Sequence, residues 1–194
     1  MTRSLRIAVA DDELDMRDYF QQILPALGHQ VVAVARDGRE LVEKCRTVGH
    51  DLVITDIKMP DMDGIDAAIQ IYRNGPVPVI LVSAYHDPEF IHRAEADHIL
   101  AYLVKPIKQA DLEPAIGLAM RRFEQFRALE REAADLKQAL EDRKTIEKAK
   151  GLLMKKTQLD EAEAFRRLQK LASDQNKKLV EIARMLLMAE EAYK

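Results

Sequence analysis

The chain has 194 residues, of which 47% are apolar and 32% charged; it carries a net charge of −3 and no tryptophan. That length holds one large domain, or a standard domain with a small added module, and the apolar share is ample for a core. No apolar run reaches the roughly 18 residues that mark a membrane-spanning helix, and the single cysteine, Cys45, excludes an internal disulfide.

The charge is uneven. Residues 141–194 hold 13 Lys/Arg against 10 Asp/Glu, a balance of +3, so the first 140 residues carry −6. An acidic front and a mildly basic tail suggest two tasks. The opening apolar run, LRIAVADD, stops at two acidic residues and is too short for a signal peptide. With a lone cysteine this suits a reducing, cytoplasmic setting. Cys45, within ELVEKCRTV, reads as a helix packing residue.

Short apolar runs at 5–10, 30–35, 51–55, 77–83 and 99–104 alternate with helical stretches at about 13–27, 38–48, 64–73, 87–96 and from 109 onward. Four of the five runs are rich in Val and Ile and lack strict polar alternation, as strands buried on both faces do. Five such strand–helix units predict an open, doubly wound α/β domain with a parallel sheet. Pro25 should kink or end the first helix.

After residue 108 the pattern changes. From Gly117 to Arg143 the composition is strongly helix-forming, and Phe126, Leu129, Ala133, Leu136 and Leu140 follow a 3-4-3-4 spacing. That seam either packs on its own chain or pairs two copies in a coiled coil. Three amphipathic tail helices are predicted near 142–156, 160–174 and 178–192, with Asp160 as an N-cap and Glu161 and Glu163 in the first turn. Their apolar stripes are Ile146, Ala149 and Leu153; Phe165, Leu168 and Ala172; and Leu179, Ile182, Ala183 and Leu186.

Functional residues of an open α/β sheet gather beyond the carboxyl ends of its strands. Here those ends carry Asp11 and Asp12, then Asp56, then Ser83, then Lys105 with Pro106. A lone Asp after a strand is usually a turn former; all five polar residues at successive strand ends are a stronger signal. Three carboxylates that close repel unless a cation joins them, and Mg²⁺ suits carboxylates, water and phosphate oxygens. Asp56 could then attack phosphorus, with Lys105 and Ser83 meeting the phosphoryl oxygens. The five histidines, at 29, 50, 86, 92 and 98, show no compact metal-ligand spacing.

The segments VADDE, TDIKMPDMDG, ILVSA and AYLVKP resemble the signatures of response-regulator receiver domains over about residues 5–122. The resemblance implies a flavodoxin-like five-stranded parallel sheet of order 2-1-3-4-5. It implies Asp56 as phosphoacceptor, and Mg²⁺ bound by Asp12, Asp56 and the Lys58 carbonyl with Asp11 in support. It implies Ser83 and Tyr102 as switch residues, a cis bond between Lys105 and Pro106, and Gly64 closing the loop after Asp56. Ala96-Asp97-His98 departs from the small-residue turn usual before the fifth strand.

In the tail, Lys144, Lys148 and Lys155 lie opposite the apolar face with Gly151 among them, and Arg166 and Lys170 form a second basic stripe. A charged stripe is most often a solvated face. A mid-helix glycine costs about 1 kcal/mol against alanine, so Gly151 is a candidate for close approach by a ligand. The text TIEKAKGLLMKKTQLDEAEAFRRLQKLA, followed by Asn176, Leu179, Ile182-Ala183 and Leu186, resembles the ANTAR output domain over about 134–192. That resemblance implies a small three-helix domain that binds paired RNA hairpins as a dimer and promotes transcription antitermination. The candidate RNA contacts are Lys144, Lys148, Lys150, Gly151, Lys155, Arg166 and Lys170. Phe165 and Tyr193, the tail's aromatics, both fall on apolar stripes, so contacts through charge and helix shape are expected rather than stacking.

The expectation is a receiver at 1–122, a helical linker and candidate coiled coil at 117–141, and an ANTAR domain at 134–194. The chain would be a regulator acting with a cognate histidine kinase, Mg²⁺ and RNA hairpins, forming a homodimer on phosphorylation, without a membrane. Beyond self-phosphorylation and autodephosphorylation no enzyme turnover is expected, because the only chemical pocket is the receiver's own. The rival readings are a DNA-binding regulator and a protein-interaction module using the helical tail or Met185 and Met188.

Overall fold

A computed structural model describes residues 4–84 and 99–192. The predicted helix at 87–96, the 96–98 turn, His86, His92 and Tyr193 lie outside the described residues. The chain divides into two compact units that meet at Arg127 and Ala128. Among the described residues no helix is long and apolar enough to cross a membrane.

The first unit is built on five parallel strands: β1 (Arg6–Ala10), β2 (Gln30–Ala35), β3 (Leu52–Asp56), β4 (Val79–Ser83) and β5 (Ile99–Val104). Their order, β2-β1-β3-β4-β5, is the predicted one. β3 and β4 are buried at every position, whereas β2 and β5, at the edges, are only partly buried. Side chains alternate between two core layers with the period of two that a strand imposes. Ile7, Val9, Leu52, Ile54, Ile80 and Val82 face one layer, and Ala8, Ala10, Val53, Val79 and Leu81 face the other.

Helix α1 (Leu14–Ala26) supplies Phe20 and Leu24 to the first layer, and Pro25 falls at its end. Helices α2 (Gly38–Thr47) and α3 (Gly64–Asn74) cover the second layer. Each begins at an aspartate, Asp37 or Asp63, whose carboxylate accepts an N–H three residues on, from Glu40 or Asp66 at 2.8 Å. Cys45 packs against the second layer, where burial pushes its thiol up to about 12, so it is an inert packing residue.

Past β5 the helix expected from 109 onward, the linker and the first tail helix form one continuous element: α4 runs Gln109–Thr157, 49 residues. Its only proline, Pro114, lies near its start, and Gly117 and Gly151 are isolated, so nothing between them terminates a strongly helix-forming run. Leu112, Ile116 and Ala119 pack on the first layer of the sheet.

The second unit contains the rest of α4 with α5 (Glu161–Asp174) and α6 (Leu179–Ala192). Asp160 caps α5 as predicted: its carboxylate accepts the Glu163 N–H at 2.7 Å, and the Glu163 side chain returns to the Asp160 N–H. The core is Ala149, Leu168, Ala172, Ile182 and Ala183, with Ile146, Leu153, Leu179 and Leu186 beside it. Three alanines in so small a core let the helices approach closely. Phe165 departs from the predicted stripe. Ala164 takes the buried position, and Phe165 is 37% exposed. The two are adjacent on the helix, and the closeness of the neighbouring helix favours the smaller side chain inward.

His29 carries a pH-dependent element of the first unit. It is buried, its Nδ1 accepts the Leu5 N–H at 3.3 Å, and burial lowers its pKa from 6.5 against the opposing charge of Glu113. The unfolded chain therefore takes up a proton near pH 6.5 that the folded chain refuses. The stability contributed by His29 is complete above that pH and falls as the pH drops below it. Urea unfolding between about pH 7.5 and 5.5 should show this slope, and His29→Gln should flatten it. Equal slopes in both proteins would place the titration elsewhere.

Candidate phosphoacceptor pocket

The loop after β1 places Asp11 and Asp12. Asp11 is fully buried, and its Oδ1 accepts the Glu13 N–H at 3.0 Å. The loop is pinned by Arg17 of α1, whose Nη1 donates to the carbonyls of Asp11 at 2.7 Å and Asp12 at 2.8 Å. Asp12 remains exposed at the rim. Asp56 ends β3, nearly buried, with Oδ1 accepting the Ile57 N–H at 2.8 Å. Ligand oxygens of Asp11, Asp12 and Asp56 all lie within 4.8 Å of one another.

Lys105 enters from the end of β5. Its Nζ lies 3.0 Å from Asp11 Oδ2, 3.3 Å from Asp56 Oδ2 and 2.8 Å from Glu13 Oε1. The Lys105–Pro106 bond is cis, and the Lys105 N–H donates to the Ser83 carbonyl at 2.8 Å. Ser83 is thus tied through backbone to the lysine, and its side chain is buried at the end of β4. Tyr102 is half-buried against the second core layer, and Lys58 is exposed after β3. Gly64 opens α3 directly over the Asp56 carbonyl, where its N–H donates to the Ile57 carbonyl at 2.9 Å.

Burial dominates the electrostatics. It raises the Asp56 carboxyl to about 6, Lys105 working against the rise and Asp11 adding to it. Asp11 is raised as well, mainly by burial. Burial would lower Lys105, but hydrogen bonds to Glu13 and Asp11 outweigh it and hold the ammonium above its usual range. One ammonium thus serves three carboxylates, and among the described residues Asp11 Oδ2 accepts no properly directed hydrogen bond although it is buried. A cluster of three carboxylates that shares a single ammonium fits a hard divalent cation such as Mg²⁺.

Two residues of this pocket escaped sequence reasoning. Glu13 stands at the N-cap of α1 but makes no side-chain cap bond, because its carboxylate reaches Lys105 instead. Arg17, one turn later, reads in sequence only as a polar position on a helix. The signal for Glu13 was present in VADDE; that for Arg17 needed the loop in three dimensions.

In the second unit, Lys144, Lys148, Lys155, Arg166 and Lys170 are exposed, Lys144 pairing with Glu141 at 2.8 Å. Gly151 is exposed, and a Cβ added there would meet nothing within 4 Å. Lys150 differs from the other predicted contacts. Only 10% of its side chain is exposed, and its Nζ is held by Glu147 at 2.6 Å and Glu161 at 2.7 Å.

The sheet order and the acidic pocket with its lysine define a receiver domain. Comparisons extend this to the whole chain. The response regulator receiver domain family matches residues 7–117, and the ANTAR domain family matches residues 134–187. The "Transcriptional regulatory protein PdtaR" of Mycobacterium tuberculosis is 40% identical over 182 residues, covering 94% of this chain and 89% of that protein. A crystal structure of a CheY-like receiver domain protein from Methanospirillum hungatei aligns with a TM-score of 0.58 at 27% identity, over 63% of this chain and 98% of that one. A receiver domain protein from Clostridium thermocellum aligns with a TM-score of 0.54 at 30% identity, over 62% of this chain and 98% of that one. The chain belongs to the response regulators that join a receiver to an ANTAR domain.

Proposed function

We propose that a partner histidine kinase phosphorylates Asp56 and that the modified protein, as a dimer, binds RNA hairpins and promotes transcription antitermination in the cytoplasm. The observation that carries the first step is the buried Asp56 carboxylate beside Lys105 Nζ and two further carboxylates. Asp12, Asp56 and the Lys58 carbonyl would hold Mg²⁺, with Asp11 in support; when bound, the ion neutralises charge on the incoming phosphoryl group. An Asp56 oxygen forms the bond to phosphorus while the donor's leaving group departs with its bonding electrons. Lys105 exchanges a carboxylate partner for a phosphoryl oxygen, Ser83 donates a hydrogen bond to another, and Tyr102 repacks. The phosphoryl group acts by favouring one of two existing arrangements.

For the dimer, the support is the seam on α4. Leu129, Leu136 and Leu140 are 65%, 65% and 53% exposed, an apolar stripe that a second copy would cover. For RNA, the support is the ANTAR match together with the exposed Lys144, Lys148, Lys155, Arg166 and Lys170. Met185 and Met188, 45% and 68% exposed, favour a protein partner as the second reading.

Lys148→Ala with Lys155→Ala tests the RNA step. In gel-shift titrations with a two-hairpin RNA the double variant should bind about tenfold more weakly, and its dependence of log affinity on log salt should be shallower by about two. Helical content and phosphorylation should be unchanged. Equal affinity for the two proteins would move the RNA surface elsewhere.

A further inference from the structure

Between α4 and α5, within the second unit, lies a cleft of about 440 Å³ lined by Glu147, Lys150, Glu161, Ala162 and Phe165. Its composition is unusual for a solvated helix face. A phenylalanine that ought to be in a three-helix core stands 37% exposed at its wall. An ammonium, nearly buried, bridges two carboxylates that are themselves 54% and 72% exposed. Gly151, one turn beyond Glu147 on the same face, leaves the helix backbone open to close approach.

We propose that this cleft receives one unpaired guanine of the bound RNA, stacked on Phe165, with its Watson–Crick edge read by the carboxylates and Lys150. The inference rests on the RNA-binding reading above. An aromatic face takes any base, because every base has a π-face. The polar groups choose among them. A carboxylate accepts two parallel N–H donors, and guanine presents such a pair at N1 and N2. Beside them O6 is an acceptor for the Lys150 ammonium. Uracil has a single ring N–H between two carbonyls and leaves a carboxylate oxygen unmet. Adenine and cytosine offer one amino group and no adjacent ring donor. The pocket without Lys150 would equally suit an arginine side chain. An ammonium already seated between the carboxylates opposes a second cation there, and the exposed Lys148, Lys155 and Arg166 nearby in sequence favour a polyanion.

The test uses the full chain and fluorescence anisotropy with synthetic RNA stem–loops. One loop is all uridine; others carry a single guanosine, inosine, adenosine or cytidine. The wild type should prefer guanosine to the all-uridine loop by about tenfold, the discrimination of one bidentate contact. Phe165→Leu should weaken binding to the guanosine loop and Phe165→Tyr should keep it, whereas Glu161→Gln should lose the preference for guanosine. Inosine, which lacks the N2 amino group, should weaken wild-type binding but not further weaken Glu161→Gln, as a coupled pair requires. Circular dichroism melting shows that each variant is folded. If Phe165→Leu matches the wild type on guanosine while Lys148→Ala with Lys155→Ala still weakens binding, the base pocket is wrong and RNA binding stands. If adenosine or cytidine ranks first, guanine is the wrong base. If the wild type binds no stem–loop, both readings fall. If GMP, or an arginine-rich peptide, occupies the cleft with the same Phe165 dependence and the loops do not, the ligand is not RNA.

Discussion

Asp56→Asn is expected to abolish labelling by acetyl phosphate in the presence of Mg²⁺ and, at the same time, to stabilise the metal-free protein. The two effects share one cause. Asp56 is buried beside Asp11, and its carboxyl is raised from 3.8 to about 6 chiefly by that burial. Between those values the folded chain keeps a proton that the unfolded chain has released. The wild type therefore loses stability as the pH rises through that window, and the loss is complete above about 6. A shift of this size corresponds to about 3 kcal/mol at neutral pH, part of which Asn forfeits with the Lys105 contact. Thermal melts should show the variant higher by a few degrees at neutral pH and level with the wild type in acid. Added Mg²⁺ should raise the wild type and leave the variant nearly unmoved. Persistence of the acyl-phosphate label in the variant would remove Asp56 as acceptor.

Gly64→Ala should be the most damaging single methyl in the receiver. A Cβ at this position would collide with the Asp56 carbonyl oxygen and stand 3.0 Å from both the Asp56 carbonyl carbon and Thr55 Oγ1. Its neighbours are backbone and a buried β3 side chain, so the end of β3 or the start of α3 must move. Overpacking of this kind costs about 1–3 kcal/mol. Phosphorylation should fall further, by about 10²-fold, because a misplacement of about 1 Å at a reacting group has that effect. Gly151→Ala is the internal contrast. Nothing lies within 4 Å of its added Cβ, so the same methyl should stabilise α4 by up to about 1 kcal/mol. Denaturant midpoints for the two variants should move in opposite directions; a shared direction would mean that close approach is not what sets the cost at Gly64.

The receiver was legible in sequence because its determinants are local and periodic. Runs such as LVITD and VILVS are buried on both faces and read as central strands, and each ends in the residue that the pocket uses. Strand ends converge by topology, so Asp11, Asp56 and Lys105 could be brought together without coordinates. Lys150 was legible only as a cation in a basic text. Its two partners include Glu161, eleven residues away on another helix, and no helical periodicity reports a contact across a turn. Phe165 was misassigned for a similar reason. Ala164 and Phe165 both border the apolar stripe, and helical periodicity alone does not say which of two adjacent residues turns inward.

The acidic pocket thus follows from the sequence, because alternating strands and helices carry their functional residues to one edge whatever the packing details. Only the tertiary structure decided which charges neutralise one another. It brought Glu13 to Lys105, gave Arg17 the loop carbonyls, and withdrew Lys150 between two carboxylates. Ion pairs between separate elements depend on distances of a few ångströms, and those are set by side-chain packing rather than by the order of residues along the chain.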